Sequence, residues 1–110
     1  HMIYEVITTD QADADLRGIY EYIAFELLSS DHAAGKLERL EEHIVGLGEF
    51  PEKFRQYETE PWLSRGLRVM PVDNYLVFYI PDKDAGIVTV IRVMYVGRDI
   101  DSQLNANTVI

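Results

Sequence analysis

Cysteine is absent from this chain of 110 residues. That removes a disulfide framework, a thiolate nucleophile and a cysteine-based zinc site at once. Basic residues are scarce as well: 10 Lys and Arg stand against 19 Asp and Glu, a formal charge of −9. Affinity for nucleic acid comes mainly from Lys and Arg on phosphates, so general binding of free nucleic acid is not expected. No apolar run is long enough to span a bilayer and the N-terminus lacks the basic and apolar regions of a signal peptide, so a cytoplasmic location with no membrane role is expected. There is no glycine-rich phosphate loop, and Ser64 has no neighbouring base to activate it.

Metal and cofactor sites are not expected either. His32 and His43 sit at opposite ends of one predicted helix, about 16 Å apart at a rise of about 1.5 Å per residue, so one ion cannot join them. The segment D-K-D-A-G, Asp82 to Gly86, starts like a calcium loop, but strand residues follow where further oxygen ligands are needed, and it reads as a hairpin turn. Asp13, Asp15, Glu21, Glu38, Glu41 and Glu42 read as solvated helix faces rather than a catalytic carboxylate pair.

With 47% hydrophobic residues the chain can bury one core. His1 ahead of Met2 reads as a cloning remnant, a single domain is expected over residues 3–104, and residues 105–110 are read as a tail. Ile3 to Ile7 is β-prone, and Thr9 or Asp10 can cap the helix that follows. From Gln11 to Leu28, Leu16, Ile19, Ile23 and Leu27 recur at helical intervals. Ala33, Leu37, Leu40, Ile44 and Leu47 repeat the pattern after Ser29 to Asp31, and Gly48 and Pro51 end it. Residues 50–61 read as a polar loop that packs a few rings. The period then becomes two in Leu67–Met70, Tyr75–Ile80 and Ile87–Val96, which predicts an antiparallel meander. A short helix is expected from Asp99 to about Leu104. The predicted architecture is α+β in the order β-α-α-β-β-β, a helical hairpin on one face of a mainly antiparallel sheet.

That arrangement leaves the second sheet face open, and the last strand is apolar on both sides except at Arg92. An apolar surface around Tyr79, Val90 and Met94 is therefore expected to await a partner. The acidity belongs to the first half; Arg65, Arg68, Arg92 and Arg98 in the second form the basic group nearest the sheet. Arg68, Arg92 and Arg98 are the candidates for gripping phosphate or a partner's carboxylates, with ion pairing inside an acidic protein as the structural alternative. Arg39, on the acidic second helix, is expected to take no part.

Three motifs in order, A-D-A-D-L-R-G-I-Y-E-Y-I, G-L-R-V-M-P-V-D-N-Y-L-V-F-Y-I and V-I-R-V-M-Y-V-G-R-D-I, resemble the RelE/ParE superfamily of bacterial toxins. The resemblance implies the toxin half of a type II toxin–antitoxin (plasmid stabilisation) module held inactive by a cognate antitoxin. It allows two activities: RelE-like cleavage of mRNA on the ribosome, which would use Arg68 and Arg98 as catalytic residues, or ParE-like poisoning of DNA gyrase. A third alternative is a degenerate member that only binds its antitoxin. Nuclease members typically carry an arginine after the tyrosine that begins the middle hairpin strand; here Leu76 follows Tyr75. Leucine can neither stabilise a phosphorane nor move a proton, and N-Y-L-V-F-Y is similar to the ParE-type pattern. The resemblance therefore implies the gyrase poison, not an enzyme, ahead of the nuclease.

Overall fold

The computed structural model describes residues 3–109, so residues 1–2 and Ile110 lie outside the account. Strand β1 (Glu5–Thr8) leads into helix α1 (Asp10–Glu21), whose start is fixed by the Thr9 side chain accepting from the Ala12 amide. A five-residue π turn, Tyr22–Glu26, joins α1 to the loop before α2 (Ser30–Gly46). The meander follows as β2 (Arg68–Val72), β3 (Tyr75–Asp82) and β4 (Ile87–Tyr95), and the chain closes with α3 (Ile100–Asn107). The order in the sheet is β1-β4-β3-β2, with β1 parallel to β4 and the rest antiparallel. The α+β reading and its element order therefore hold, and α3 runs three residues past the expected end.

The first core layer lies between the sheet and the helical hairpin. Ala12 and Leu16 from α1 and Leu40, Ile44 and Leu47 around α2 meet Val77, Tyr79, Val88, Val90 and Val93. Gly48 permits the close approach of β1 to the end of α2, because a Cβ there would lie 2.9 Å from the Tyr4 carbonyl oxygen.

The second face is not open. Trp62 and Leu67 from the long loop and Leu104 from α3 cover Val69, Phe78, Ile91 and Met94. The Trp62 indole nitrogen donates to the Asn105 side chain, and Tyr57 packs edge-on against Phe78 while its hydroxyl donates to Asp101. Each large apolar side chain so buried contributes about 1.5–3 kcal/mol, which is why a strand apolar on both sides gains two covers rather than one. The expected docking surface is corrected accordingly: Tyr79 and Val90 are 0% exposed in the first layer and Met94 is 1% exposed in the second.

A β-bulge explains why strict alternation along β4 misplaces its residues. Tyr79 pairs with Val90 but Phe78 pairs with Arg92, so Ile91 is the extra residue. Val88, Val90 and Val93 consequently share the helical side, while Ile91 and Met94 share the other.

Candidate functional site

An open cleft of about 1060 Å³ lies where the helical hairpin meets the end of the sheet. Its walls include Ile19, Tyr22, Ile23 and Leu27 from the first helical segment, Lys36 and Arg39 from α2, and Tyr75, Val93, Tyr95 and Arg98 from the sheet end. Tyr75 and Tyr95 form an edge-on pair with centroids 5.9 Å apart, and the Lys36 ammonium stands 5.9 Å from the Tyr75 centroid. Gly97 leaves room for the Tyr95 ring, whose Cε2 would lie 2.7 Å from a Cβ at that position.

The π turn shapes the rim. With about one residue more per turn than an α-helix, it rotates the side chains after Glu21 away from the stripe that Leu16 begins. Ile23 stays buried, but Tyr22 is 56%, Phe25 68%, Leu27 58% and Leu28 86% exposed. Leu27, expected on the buried stripe, is thus displaced to the surface, and Leu28 is held at a left-handed φ of 53°. The sequence showed apolar residues here; nothing in their spacing marked the extra residue in the turn.

The three candidate arginines have separate fates. Arg92 is 4% exposed: its guanidinium is bidentate on Asp15 of α1 and also donates to the Asn107 carbonyl and the Thr108 hydroxyl. Asp15 accepts in addition from the Val93 amide. Arg92 is a buried clasp joining α1, β4 and the end of α3, which corrects its reading as a surface contact. Arg68 donates to the carbonyls of Glu52 and Phe54 and so anchors the loop beside β2. Arg98 is exposed on the cleft rim, and among the described residues its side chain has no hydrogen-bond or ion-pair partner.

Arg68 and Arg98 do not converge. Arg68 pairs with Tyr79, whereas Arg98 follows Tyr95, which pairs with Tyr75 beside Val72; the four residues from Arg68 to Val72 span about 13 Å at about 3.3 Å per residue. Leu76, between them, packs against the second core layer. The Arg68 guanidinium is held on the Glu52 and Phe54 carbonyls rather than beside Arg98.

Arg39 and Lys36 are the residues whose role the sequence hid. Lys36 Nζ and Arg39 Nε both lie 2.8 Å from Asp73 Oδ2, in the β2–β3 turn where Asp73 adopts a φ of 54°. Hydrogen bonds from Lys36 and Arg39 hold the Asp73 carboxyl below its ordinary range. The turn is thereby latched to α2, and the Arg39 expected to stand apart on an acidic helix lines the cleft.

No helix of the described residues is long and apolar enough to cross a membrane. Among solved structures, the chain is similar to one titled as the chromosomal ParDE toxin–antitoxin system from P. aeruginosa, with a TM-score of 0.72 and 17% identity over 86% of this chain and 97% of that one. It is also similar to one from the toxin–antitoxin complex RelBE2 of Mycobacterium tuberculosis, with a TM-score of 0.63 and 20% identity over 86% and 99% of the two chains. At these identities the likeness establishes the fold. No curated protein matches the chain in sequence. The family model described as the ParE toxin of the type II toxin–antitoxin system parDE matches residues 6–100, and the chain therefore belongs to the ParE toxin family.

Proposed function

We propose that the chain is the toxin of a type II module that acts by binding a DNA topoisomerase of the gyrase type in the cytoplasm, and that a cognate antitoxin neutralises it. The observation that carries this reading is that, among the described residues, the candidate arginines are dispersed rather than gathered into a phosphoryl-transfer site. Arg68 is engaged in anchoring a loop, Arg92 is buried on Asp15, Leu76 faces a core layer, and Arg98 stands alone. Cleavage of RNA needs an acid–base pair and a charge-stabilising group around one phosphate, and here the groups diverge. Surface binding needs no such convergence: exposed apolar and aromatic side chains beside an unpaired arginine are the composition of a protein-binding patch. A charge of −9 also disfavours approach to the RNA-lined decoding site.

The experiment is the order of events after induced expression. Replication should stop and a DNA-damage response should rise before protein synthesis falls. Early loss of translation with cleavage of transcripts at codon positions would favour the ribosome-dependent nuclease instead.

A further inference from the structure

A second groove runs between α1 and α2 on the solvent side of the hairpin and shares no lining residue with the cleft. We propose that it docks a Lys- or Arg-bearing segment of the target enzyme, seating an apolar side chain between Tyr20, Leu37 and Val45 while Glu38, Glu41 and Glu42 hold the flanking cations. The inference rests on the topoisomerase reading and adds a contact surface to it.

The apolar seat comes from helical spacing. Two adjoining hollows of about 480 and 360 Å³ both reach Tyr20, Leu37 and Glu41, so they form one trough along the two helices. Val45 is 72% exposed at one end, and Tyr20 and Leu37 are half-buried at the floor. An anchor side chain placed there leaves water on a surface that the core does not cover.

The charge follows from how α2 uses its cations. Lys36 and Arg39 both turn to Asp73, and among the described residues no cation pairs with Glu38, Glu41 or Glu42. Spacings of three and four residues put these like charges on one helical face, where they repel one another. Across the trough Asp13 adds a fourth carboxylate and Arg17 a single cation, an excess of three negative charges.

The sign selects the occupant. Nucleic acid and anionic lipid are repelled, and a second copy would bring the same acidic trough on a chain of net −9. An enzyme that handles DNA carries Lys and Arg wherever its surface meets phosphates, so its basic segments have the chemistry this trough fits. Unlike charges at the rim also speed the encounter.

The test has two arms. In the first, fluorescein-labelled amphipathic peptides with an identical Leu/Ile face, one flanked by Lys and the other by Glu, are titrated with the folded chain and read by anisotropy. The Lys peptide should bind at least about tenfold tighter, the sum expected of three exposed pairs. Glu38→Gln/Glu41→Gln/Glu42→Gln should abolish that preference without lowering the unfolding midpoint, and Val45→Ala should weaken the Lys peptide. A control that removes three exposed charges elsewhere, Glu5→Gln/Glu58→Gln/Asp84→Asn, should keep the preference. In the second arm the trough variant should need about tenfold more chain than the control to trap DNA gyrase on plasmid. Equal or reversed peptide preference, equal loss in the control, an unchanged gyrase titration, or self-association that the trough variant abolishes would overturn the proposal. An unaltered chain that selects the Lys peptide but leaves gyrase untouched would sink the topoisomerase reading and, with it, the assignment of the segment to that enzyme. Trapping of gyrase alike by the unaltered chain and the trough variant would sink this inference alone.

Discussion

The guanidinium of Arg92 on β4 grips both carboxylate oxygens of Asp15 on α1, with Nε 2.7 Å from Oδ2 and Nη2 3.0 Å from Oδ1. The pair is nearly closed to solvent, and each partner makes further hydrogen bonds: Arg92 to the Asn107 carbonyl and the Thr108 hydroxyl, Asp15 from the Val93 amide. A charge pair removed from water persists only when its hydrogen bonds are filled in this way.

Removing one partner leaves the other buried and uncompensated. Arg92→Ala or Asp15→Ala should each destabilise the fold by about 3–5 kcal/mol, and the double variant should cost less than the sum of the two. Urea unfolding of the three variants checks this; a loss within about 0.5 kcal/mol for Arg92→Ala would place the clasp at the surface.

Arg68 offers a contrast, because its acceptors are backbone carbonyls rather than a carboxylate. Arg68→Ala should cost about 1–3 kcal/mol by releasing residues 52–54, with toxicity per folded molecule unchanged. Loss of toxicity at undiminished stability would return Arg68 to the functional surface.

Alkaline pH should weaken the fold. Burial, aided by Asp101, pushes the Tyr57 hydroxyl up to about 12, and burial pushes Tyr79 up to about 12, against an ordinary value of 10.0. Above the ordinary value the unfolded chain releases these protons while the folded chain retains them, so the unfolded state binds fewer protons and stability falls as pH rises between the two values. The urea midpoint should be level below about pH 9 and decline towards pH 12, and Tyr57→Phe should flatten the decline. A midpoint that rises with pH in that window would refute the assignment.

Where sequence reading succeeded, side-chain periodicity was the cause. The switch from a helical to a two-residue period after Leu67 separated the hairpin from the meander, and the Thr9 cap and the Asp82–Gly86 turn carry their own chemistry in Asp, Thr and Gly. The failures share a different origin. Ile91 is one residue out of step in β4, and the π turn shifts the frame after Glu21; neither shift alters composition, so both rings and aliphatics were assigned to the wrong side. The cover over Met94 comes from Leu104 in the next helix and from Trp62 in a loop well before the meander, and the value of Arg39 depends on a turn residue, Asp73, that reaches it only in three dimensions. The exposure of Arg98 was legible because the G-R-D junction ends a strand, where a side chain leaves the sheet.

The central claim is that the chain poisons a topoisomerase rather than cutting RNA. Its most direct measurement incubates the purified chain with DNA gyrase, ATP and supercoiled plasmid and stops the reaction with detergent and protease. Linear plasmid should accumulate with increasing chain, as gyrase is trapped with its DNA broken, and addition of a cognate antitoxin should abolish it. Unchanged gyrase turnover without linear product, together with cleavage of mRNA on programmed ribosomes by the same preparation, would contradict the account.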